Sequence, residues 1–191
     1  MPKKTFAAMA IALAALVVGA VPAQATGSDR ENIVGVVVDA SGAPGTFDHN
    51  PWDYDILRDA VIAAGLADAL SGPGPLTVFA PNDFAFMRTA ADLGIRGSEA
   101  QVLAGLASAL GDNLDDVLLY HVSEGRQRAL SVLRAGEIET LNGQSFAVRG
   151  LRLVDKSELN DPWLNVFALN MTASNGVIHG ITRVLLPELA A

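Results

Sequence analysis

The chain has 191 residues, of which 50% are hydrophobic, 6% aromatic and none cysteine, and its formal net charge is −8. Without cysteine it cannot form a disulfide scaffold, a cysteine-ligated zinc or iron–sulfur site, a cysteine nucleophile or a lipid anchor through an N-terminal cysteine. The acidic balance disfavours nucleic acid and anionic membranes as partners, because phosphate groups carry the same sign of charge.

The first 25 residues have the three parts of a secretory signal peptide. Lys3 and Lys4 are basic, residues 6–21 form an apolar run, and residues 23–25 supply the small side chains that a signal peptidase reads. An apolar run of about 16 residues is short for a bilayer span. We therefore expect cleavage after Ala25. Of the 13 basic residues 11 then remain against 21 acidic ones, a net charge of −10.

The rest of the chain is predicted to form one α+β domain. Residues 26–31 are expected to be a short tail and residues 32–188 a single domain, because no linker or repeat divides them. No further apolar stretch is long enough to span a membrane. The expected product is secreted, and lies in the periplasm or outside the cell.

Between Asp53 and Val122 the apolar residues recur with helical spacing. The first predicted helix starts at Asp53, where acidic side chains favour a helix N-terminus, and ends at Gly65. Its apolar face consists of Ile56, Leu57, Ala60, Val61 and Ala64. A turn at residues 72–75 follows, and then a strand is predicted at residues 76–80.

Two more helices are predicted before Val122. Ser98 and Gln101 have the spacing of a capping box, which marks the start of a helix. The buried face of that helix consists of Val102, Leu103, Leu106 and Leu110. Asn113 is a candidate N-cap for a shorter helix. The inward-facing residues of this second helix are Val117, Leu118 and His121.

From Glu137 onward the hydrophobic period changes to two, which is typical of strands. Asn142-Gly143, between residues 138–141 and 145–149, is a strong hairpin signal. A second tight turn is predicted at Asn175-Gly176. Further strands are predicted at residues 151–154, 166–171, 177–181 and 184–186.

Sequence motifs of known catalytic chemistry are absent. The chain has no Gly-x-Ser-x-Gly elbow, no phosphate-binding Gly-Lys pair and no His-Glu-x-x-His. Its three histidines, His49, His121 and His179, are far apart in sequence. Because the members of a Ser/His/Asp triad converge only in space, an esterase-type hydrolase stays as the least favoured alternative. We predict no enzyme, no cofactor and no metal.

Aromatic, acidic and imidazole side chains are concentrated between Phe47 and Asp55. Three interpretations stay open: a helix start with packed aromatics, which we favour, a binding surface, and a cation site. The spacing does not match an Asp-x-Asp-x-Asp-Gly calcium loop. The candidate contact residues for a partner or ligand are Phe47, His49, Trp52 and Tyr54.

Three motifs identify a known family. Residues 76–86 read LTVFAPNDFAF, Tyr120 and His121 lie in VLLYHV, and residues 175–187 read NGVIHGITRVLLP. In this order and spacing they resemble the two terminal homology boxes and the central Tyr-His motif of the fasciclin (FAS1) domain family. The resemblance extends from about Asn32 to Pro187.

The motif residues are expected to be mainly structural. Asn82 is predicted to cap a helix whose Phe86 packs inward, and the Tyr120 and His121 side chains are predicted to be buried and bonded to the backbone. The full set of motif-bearing residues is Phe79, Pro81, Asn82, Phe86, Tyr120, His121, Asn175, Gly176 and His179.

The resemblance implies a β-sandwich-like wedge of about seven strands in two sheets, flanked by helices. It implies an extracellular module for adhesion or matrix association, without catalysis, whose partner is a cell-surface or matrix protein or polysaccharide. The alternative is a soluble carrier of an apolar small molecule or pigment, because some domains of the family bind pigments.

The sequence departs from the family pattern in the segments linked to adhesion. Gly180 stands where a bulky apolar residue is usual, Thr182 where an Asp is usual, and Phe84 where a polar residue is common. Integrin-type recognition is therefore not carried over. The segment from Ser41 to Tyr54 is longer than is usual before the first helix, and it is our preferred candidate for a specific contact. Asn170 begins a glycosylation sequon in a predicted strand, and we expect it to be unmodified.

Overall fold

The computed structural model describes residues 30–189, so the predicted signal peptide and its cleavage site lie outside the described residues. Within that range the helices are α1 (Ile33–Ser41), α2 (Asp55–Ala63), α3 (Ala67–Ser71), α4 (Asp83–Asp92), α5 (Glu99–Leu110), α6 (Leu114–Leu119) and α7 (Ala129–Ala135). The strands are β1 (Leu76–Pro81), β2 (Val122–Glu124), β3 (Glu137–Glu139), β4 (Ser145–Arg149), β5 (Arg152–Val154), β6 (Met171–Ala173) and β7 (Gly176–Ile181).

The strands form two sheets. The first has the order β2-β1-β7-β6, and its central strands β1 and β7 run parallel, with Leu76 paired to Gly176 and Pro81 to Ile181. The second is the antiparallel sheet β3-β4-β5. The predicted α+β class with seven strands in two sheets is confirmed.

The central strands β1 and β7 separate two hydrophobic clusters. Val78 and Ala80 point to one side and pack with the helices, whereas Phe79 points to the other and packs with the three-stranded sheet. The Phe79 ring meets the Phe146 ring edge-on, with centroids 5.1 Å apart. Both faces of these strands are therefore buried, which explains why they are nearly continuous apolar runs instead of alternating ones.

The local helix signals are largely confirmed. In α5 the Ser98 hydroxyl accepts the Gln101 N–H while the Gln101 side chain accepts the Ser98 N–H, as a capping box requires. α2 begins at Asp55, two residues later than predicted, and Gly65 follows it with a φ of 68°. Asn113 is the N-cap residue of α6, as predicted, but its side chain donates to the Leu110 carbonyl and makes no capping bond.

The predicted hairpin around Asn142-Gly143 joins β3 to β4 and is confirmed. The predicted strand over residues 166–171 is wrong in most of its length, because residues 166–168 turn and only β6 follows, from Met171. The second tight turn lies one residue earlier than predicted, at Ser174 and Asn175, since Gly176 already belongs to β7.

Residues 184–186 are buried or half-buried but form no strand, contrary to the prediction. Their three backbone N–H groups are bonded to side chains instead of to another strand. Val184 donates to the Thr89 hydroxyl, Leu185 to His121 Nε2 and Leu186 to the Asp155 carboxylate. These partners satisfy the buried backbone without a sheet, so the apolar pattern alone was misleading.

Elements that the sequence did not reveal are α1, α7 and β2. α1 is rich in β-branched residues and lacks a continuous polar face, although the Asn32 side chain caps it by accepting the Gly35 N–H. Among residues 30–189, no helix combines the length and the hydropathy needed to cross a bilayer.

Candidate functional site

The structure separates the four candidate contact residues into two pairs. Trp52 is 66% exposed and His49 is also exposed. Tyr54 is only 8% exposed, and Phe47 is half-buried against the helical cluster. Phe47 and Tyr54 therefore pack within the protein, and the accessible surface predicted for this segment is reduced to His49 and Trp52.

Trp52 is joined by residues from α4 in a cluster that we call the aromatic patch: Trp52, Phe84 and Arg88. The Trp52 and Phe84 rings are tilted with centroids 5.5 Å apart, and the Arg88 guanidinium lies 5.5 Å from the Phe84 ring centroid. The Phe84 N–H donates to the Pro51 carbonyl at 2.8 Å, so the loop before α2 is fixed to the start of α4. Phe84, noted above as a departure from the family pattern, is thus part of an exposed surface.

A second group of exposed apolar side chains lies on residues 163–168, which we call the outer loop. Trp163 and Val166 are about half exposed and Phe167 is 97% exposed. The outer loop is bonded to β7, because Asn165 N–H donates to the Gly180 carbonyl and Gly180 N–H donates to the Ala168 carbonyl.

Gly180 permits this contact between the outer loop and β7. A Cβ atom at position 180 would lie 2.7 Å from the Ala168 Cβ, closer than two carbon atoms pack, and 3.5 Å from the Tyr54 hydroxyl. A bulky apolar residue, usual at this position in the family, would displace the outer loop. Tyr54 connects this region to the segment that carries Trp52.

The central motif residues are buried and bonded to the backbone. The Tyr120 hydroxyl donates to the Ser145 carbonyl at 3.1 Å. His121 Nδ1 donates to the Val117 carbonyl at 2.7 Å, and His121 Nε2 accepts the Leu185 N–H at 2.9 Å. These partners require the neutral imidazole. Burial lowers the pKa of His121 to about 4.

His179 and Asn175 occupy similar positions. His179 Nδ1 accepts the Asn170 N–H and Nε2 donates to the Gln127 carbonyl, and burial lowers the pKa of this imidazole. The Asn175 amide accepts the Ile33 N–H and donates to the carbonyls of Leu70 and Gly72. We call Tyr120, His121, Asn175 and His179 the polar core.

The other motif residues either cap a helix or are buried in the interior. Asn82 caps α4 by accepting the Ala85 N–H at 3.0 Å, and Phe79, Pro81 and Phe86 are buried. Gly176 is the closest approach of β7 to β1. A Cβ atom there would lie 2.4 Å from the Leu76 carbonyl oxygen, so only glycine fits.

The predicted place of the sequon in a strand is correct for Met171 and Thr172, which belong to β6, and wrong for Asn170. Asn170 precedes β6, has a φ of 57°, and its side-chain oxygen accepts the Ala129 N–H at 2.9 Å. The residue is exposed. Its side-chain amide thus links the start of β6 to α7.

A second buried polar region lies beneath the aromatic patch, and we call it the acidic cluster: Asp48, Asp53, Asp55, Asp83 and Glu99. One carboxylate oxygen each from Asp48, Asp53 and Asp55 lie within 4.8 Å of one another, and so do oxygens of Asp55, Asp83 and Glu99. Burial raises the pKa of Asp83 to about 8 and also raises the pKa of Asp53. These are the residues of the described chain that could hold a metal ion.

Sequence reasoning found only part of the acidic cluster. Asp48, Asp53 and Asp55 are neighbours in the chain, but Asp83 and Glu99 come from the first residues of α4 and α5. Acidic residues at a helix start are common, so position alone did not distinguish them. The only local signal is that Asp83 directly follows the capping Asn82 inside the first homology box.

A model of the fasciclin domain matches residues 53–187. The chain belongs to the fasciclin (FAS1) domain family. "Protein sll1483" from Synechocystis is 35% identical over 141 residues, which cover 71% of this chain and 68% of that protein. Human periostin is 26% identical over 147 residues, which cover 72% of this chain and 15% of periostin.

The fasciclin fold is also found among solved structures. The FAS1 domain pair of the insect cell adhesion molecule Fasciclin I matches with a TM-score of 0.58 and 14% identity, over 83% of this chain and 51% of that one. At this identity the similarity concerns the fold. The similarity therefore says nothing about the side chains of the aromatic patch and the outer loop.

Proposed function

We propose that this chain is an exported FAS1 binding module that associates with a cell-surface or matrix component and catalyses no reaction. The observation that carries the proposal is the exposure of large aromatic side chains, with Trp52 at 66% and Phe167 at 97%. Tryptophan and other aromatic residues are the side chains that most often dominate binding energy at protein interfaces. Fasciclin I, which shares the fold, is described as a cell adhesion molecule.

The backbone around these side chains is well supported, which favours binding. The Phe84 N–H bond to Pro51 holds the loop before α2 against α4, and the Gly180 N–H bond to Ala168 holds the outer loop against β7. Little conformational freedom is then lost when a partner binds, so more of the contact energy appears as affinity.

The carrier alternative finds no support in the interior of the domain. Two cavities within residues 30–189 are lined mainly by apolar side chains, with His121 in both, Arg58 in the first and Thr89 in the second, and their volumes are about 50 and 30 Å³. Pockets that enclose small organic ligands measure roughly 300 to 1,000 Å³. Neither cavity has room for a pigment.

The esterase alternative is disfavoured by the bonding of the histidines. Both ring nitrogens of His121 and both of His179 are bonded to backbone groups. A general base needs a free nitrogen within reach of the nucleophile. Each of these imidazoles would have to break a backbone hydrogen bond to act as a base.

The test is recovery of partners from culture medium and cell envelope on the immobilised chain. We expect Trp52→Ala with Phe84→Ala, or Trp163→Ala with Phe167→Ala, to reduce recovery about tenfold, because each pair removes two aromatic anchors. Leu130→Ala is the matched control, since Leu130 is an exposed apolar residue of α7 outside both groups.

Equal recovery on the wild type, both double variants and the control would contradict the proposal. Treatment of the recovered material with a protease or with a glycosidase mixture then decides between a protein and a polysaccharide partner. A chromogenic ester panel on the same samples tests the absence of catalysis, and turnover above the buffer rate would contradict it.

A further inference from the structure

The acidic cluster contains more negative charge than its protein partners neutralise. Arg58 is the basic partner of the cluster within residues 30–189, with Nη1 2.6 Å from Asp55 Oδ1. Its Nε bonds Asp59, and its other N–H groups donate to backbone carbonyls that include those of Ser41 and Thr46. Among residues 30–189, Arg58 forms its ion pairs with Asp55 and Asp59 and none with the other four carboxylates of the cluster.

Three carboxylate oxygens in the cluster are buried without a hydrogen-bond partner: Asp53 Oδ1, Asp83 Oδ2 and Glu99 Oε2. The residues that carry them are 6%, 0% and 5% exposed. They come from three separate elements, namely the loop before α2 and the first residues of α4 and α5. An ionised carboxylate in such a place is unfavourable by several kcal/mol unless a positive group accompanies it.

In each of the two groups of three carboxylates, the spacing of the oxygens fits the coordination sphere of one calcium ion. Calcium binds oxygen ligands at about 2.3 to 2.6 Å, so two ligands on opposite sides of the ion are roughly 4.6 to 5.2 Å apart. Both groups of three carboxylates lie within 4.8 Å, and Asp55 belongs to both. Asp48 is the exposed member of the cluster.

We propose that the acidic cluster is a binding site for a divalent cation of the calcium type, held by Asp53, Asp83 and Glu99 with Asp48 and Asp55. The carboxylate-only donor set selects hard cations, and the irregular arrangement on three elements suits calcium better than the strict octahedron of magnesium. The ion would supply the positive charge that Arg58 does not.

A proton is the competing occupant. One proton shared between Asp53 and Asp83 would satisfy the free oxygens of both, and burial raises the pKa of Asp83 to about 8. Such a proton leaves Glu99 Oε2 without a partner, whereas a cation shared by Asp55, Asp83 and Glu99 would also neutralise Glu99. The cation accounts for more of the observed geometry.

The first experiment measures thermal unfolding of the EDTA-treated full domain at pH 7.5 and constant ionic strength. We expect 5 mM CaCl₂ to raise Tm by about 5 °C or more, because a ligand that binds only the folded state stabilises it. MgCl₂ should give a smaller shift. A calcium-induced shift below about 1 °C overturns the proposal.

One substitution removes the charge of Asp83 and keeps its hydrogen bond to the backbone. Asp83 Oδ1 accepts the Ile56 N–H at 2.9 Å, and Asp83→Asn keeps that acceptor while it removes the charge. We expect Tm without calcium to be unchanged or higher, and the calcium affinity to fall at least tenfold. Asp112→Asn is the control, since Asp112 is an exposed carboxylate in the turn after α5.

A full calcium shift in Asp83→Asn would overturn the proposal, as would loss of the shift in the control. If Asp83→Asn does not fold, Glu99→Gln tests the same point from α5. Terbium luminescence excited through tryptophan provides a second readout, because Trp52 adjoins Asp53 in the chain. These measurements need no partner, so their failure leaves the binding module proposal intact.

Discussion

The two buried polar regions of this domain follow opposite rules. In the polar core, hydroxyl, imidazole and amide groups are neutral and each is matched to a backbone donor or acceptor. In the acidic cluster, charged groups face one another and three oxygens have no partner. The hydrogen bonds of the first region are complete as folded, whereas the second would be completed by the cation that we propose. Whether a buried polar group has all its hydrogen bonds therefore indicates its role better than its burial does. Fully bonded groups are structural, and groups with unpaired oxygens are candidates for binding.

The largest effect is expected from His121→Phe in the polar core. The substitution leaves the Val117 carbonyl and the Leu185 N–H buried and unpaired, and it should lower the free energy of unfolding by roughly 4 kcal/mol. Urea unfolding measures this, with Leu130→Phe at an exposed position of α7 as control. A loss below about 1 kcal/mol would mean that water replaces the imidazole.

A somewhat smaller loss is expected from Asn175→Ala. The amide joins the Ile33 N–H to the carbonyls of Leu70 and Gly72, and so links α1 to the α3 turn. We expect roughly 3 kcal/mol in urea unfolding, because the site is near the surface and water can reach part of it. If hydrogen exchange at Ile33 stays as slow as in the wild type, the link is not needed for α1.

Acid should weaken the polar core first. The pKa of His121 is lowered by burial to about 4, whereas the unfolded chain binds a proton near pH 6.5. The free energy of unfolding should therefore fall as pH decreases from 6.5 towards 4, by on the order of 3 kcal/mol. His121→Phe should remove most of this pH dependence. If the variant keeps the same slope of unfolding free energy against pH, another titrating group is responsible.

The acidic cluster should respond in the opposite direction when calcium is absent. Burial raises the pKa of Asp83 to about 8, so the folded state keeps a proton that the unfolded state releases near pH 4. Stability should decline as pH rises, and the loss should be complete above pH 8. The groups that face Asp83 are Asp53 from the loop and Glu99 from α5.

Calcium should reduce the loss of stability at alkaline pH, because it replaces the Asp83 proton there. Asp83→Asn should reduce it as well, with Asp112→Asn as the control that keeps the full slope. Unfolding temperatures between pH 5 and 9, with EDTA and with CaCl₂, measure the effect. A decline that is identical with and without calcium would identify the proton as the sole occupant.

The sequence predicted best the features whose partners are close in the chain. The capping box at Ser98 and Gln101, the hairpin at Asn142-Gly143 and the cap at Asn82 each need only three or four neighbouring residues. Residues 184–186 failed as a strand because their N–H partners are side chains of residues 89, 121 and 155. No local pattern contains that information.

The candidate surface was predicted only in part for the same reason. Trp52 and Tyr54 alternate along one loop, but Tyr54 is buried where the outer loop crosses β7. The contribution of Phe84, and the approach of Asp83 and Glu99 to Asp53, depend on how α4 and α5 pack against α2. The family motifs located these segments without revealing which side chains would meet.

The pairing of β1 with β7 has a consequence for how the protein folds. Leu76 meets Gly176 and Pro81 meets Ile181, so every contact of the central pair joins residues 100 positions apart. Closing so long a loop is entropically unfavourable, and chains dominated by non-local pairs fold slowly. Until β7 is available, β1 lacks its central partner and the four-stranded sheet cannot form. The four-stranded sheet can therefore close only after the chain has been synthesised as far as residue 181.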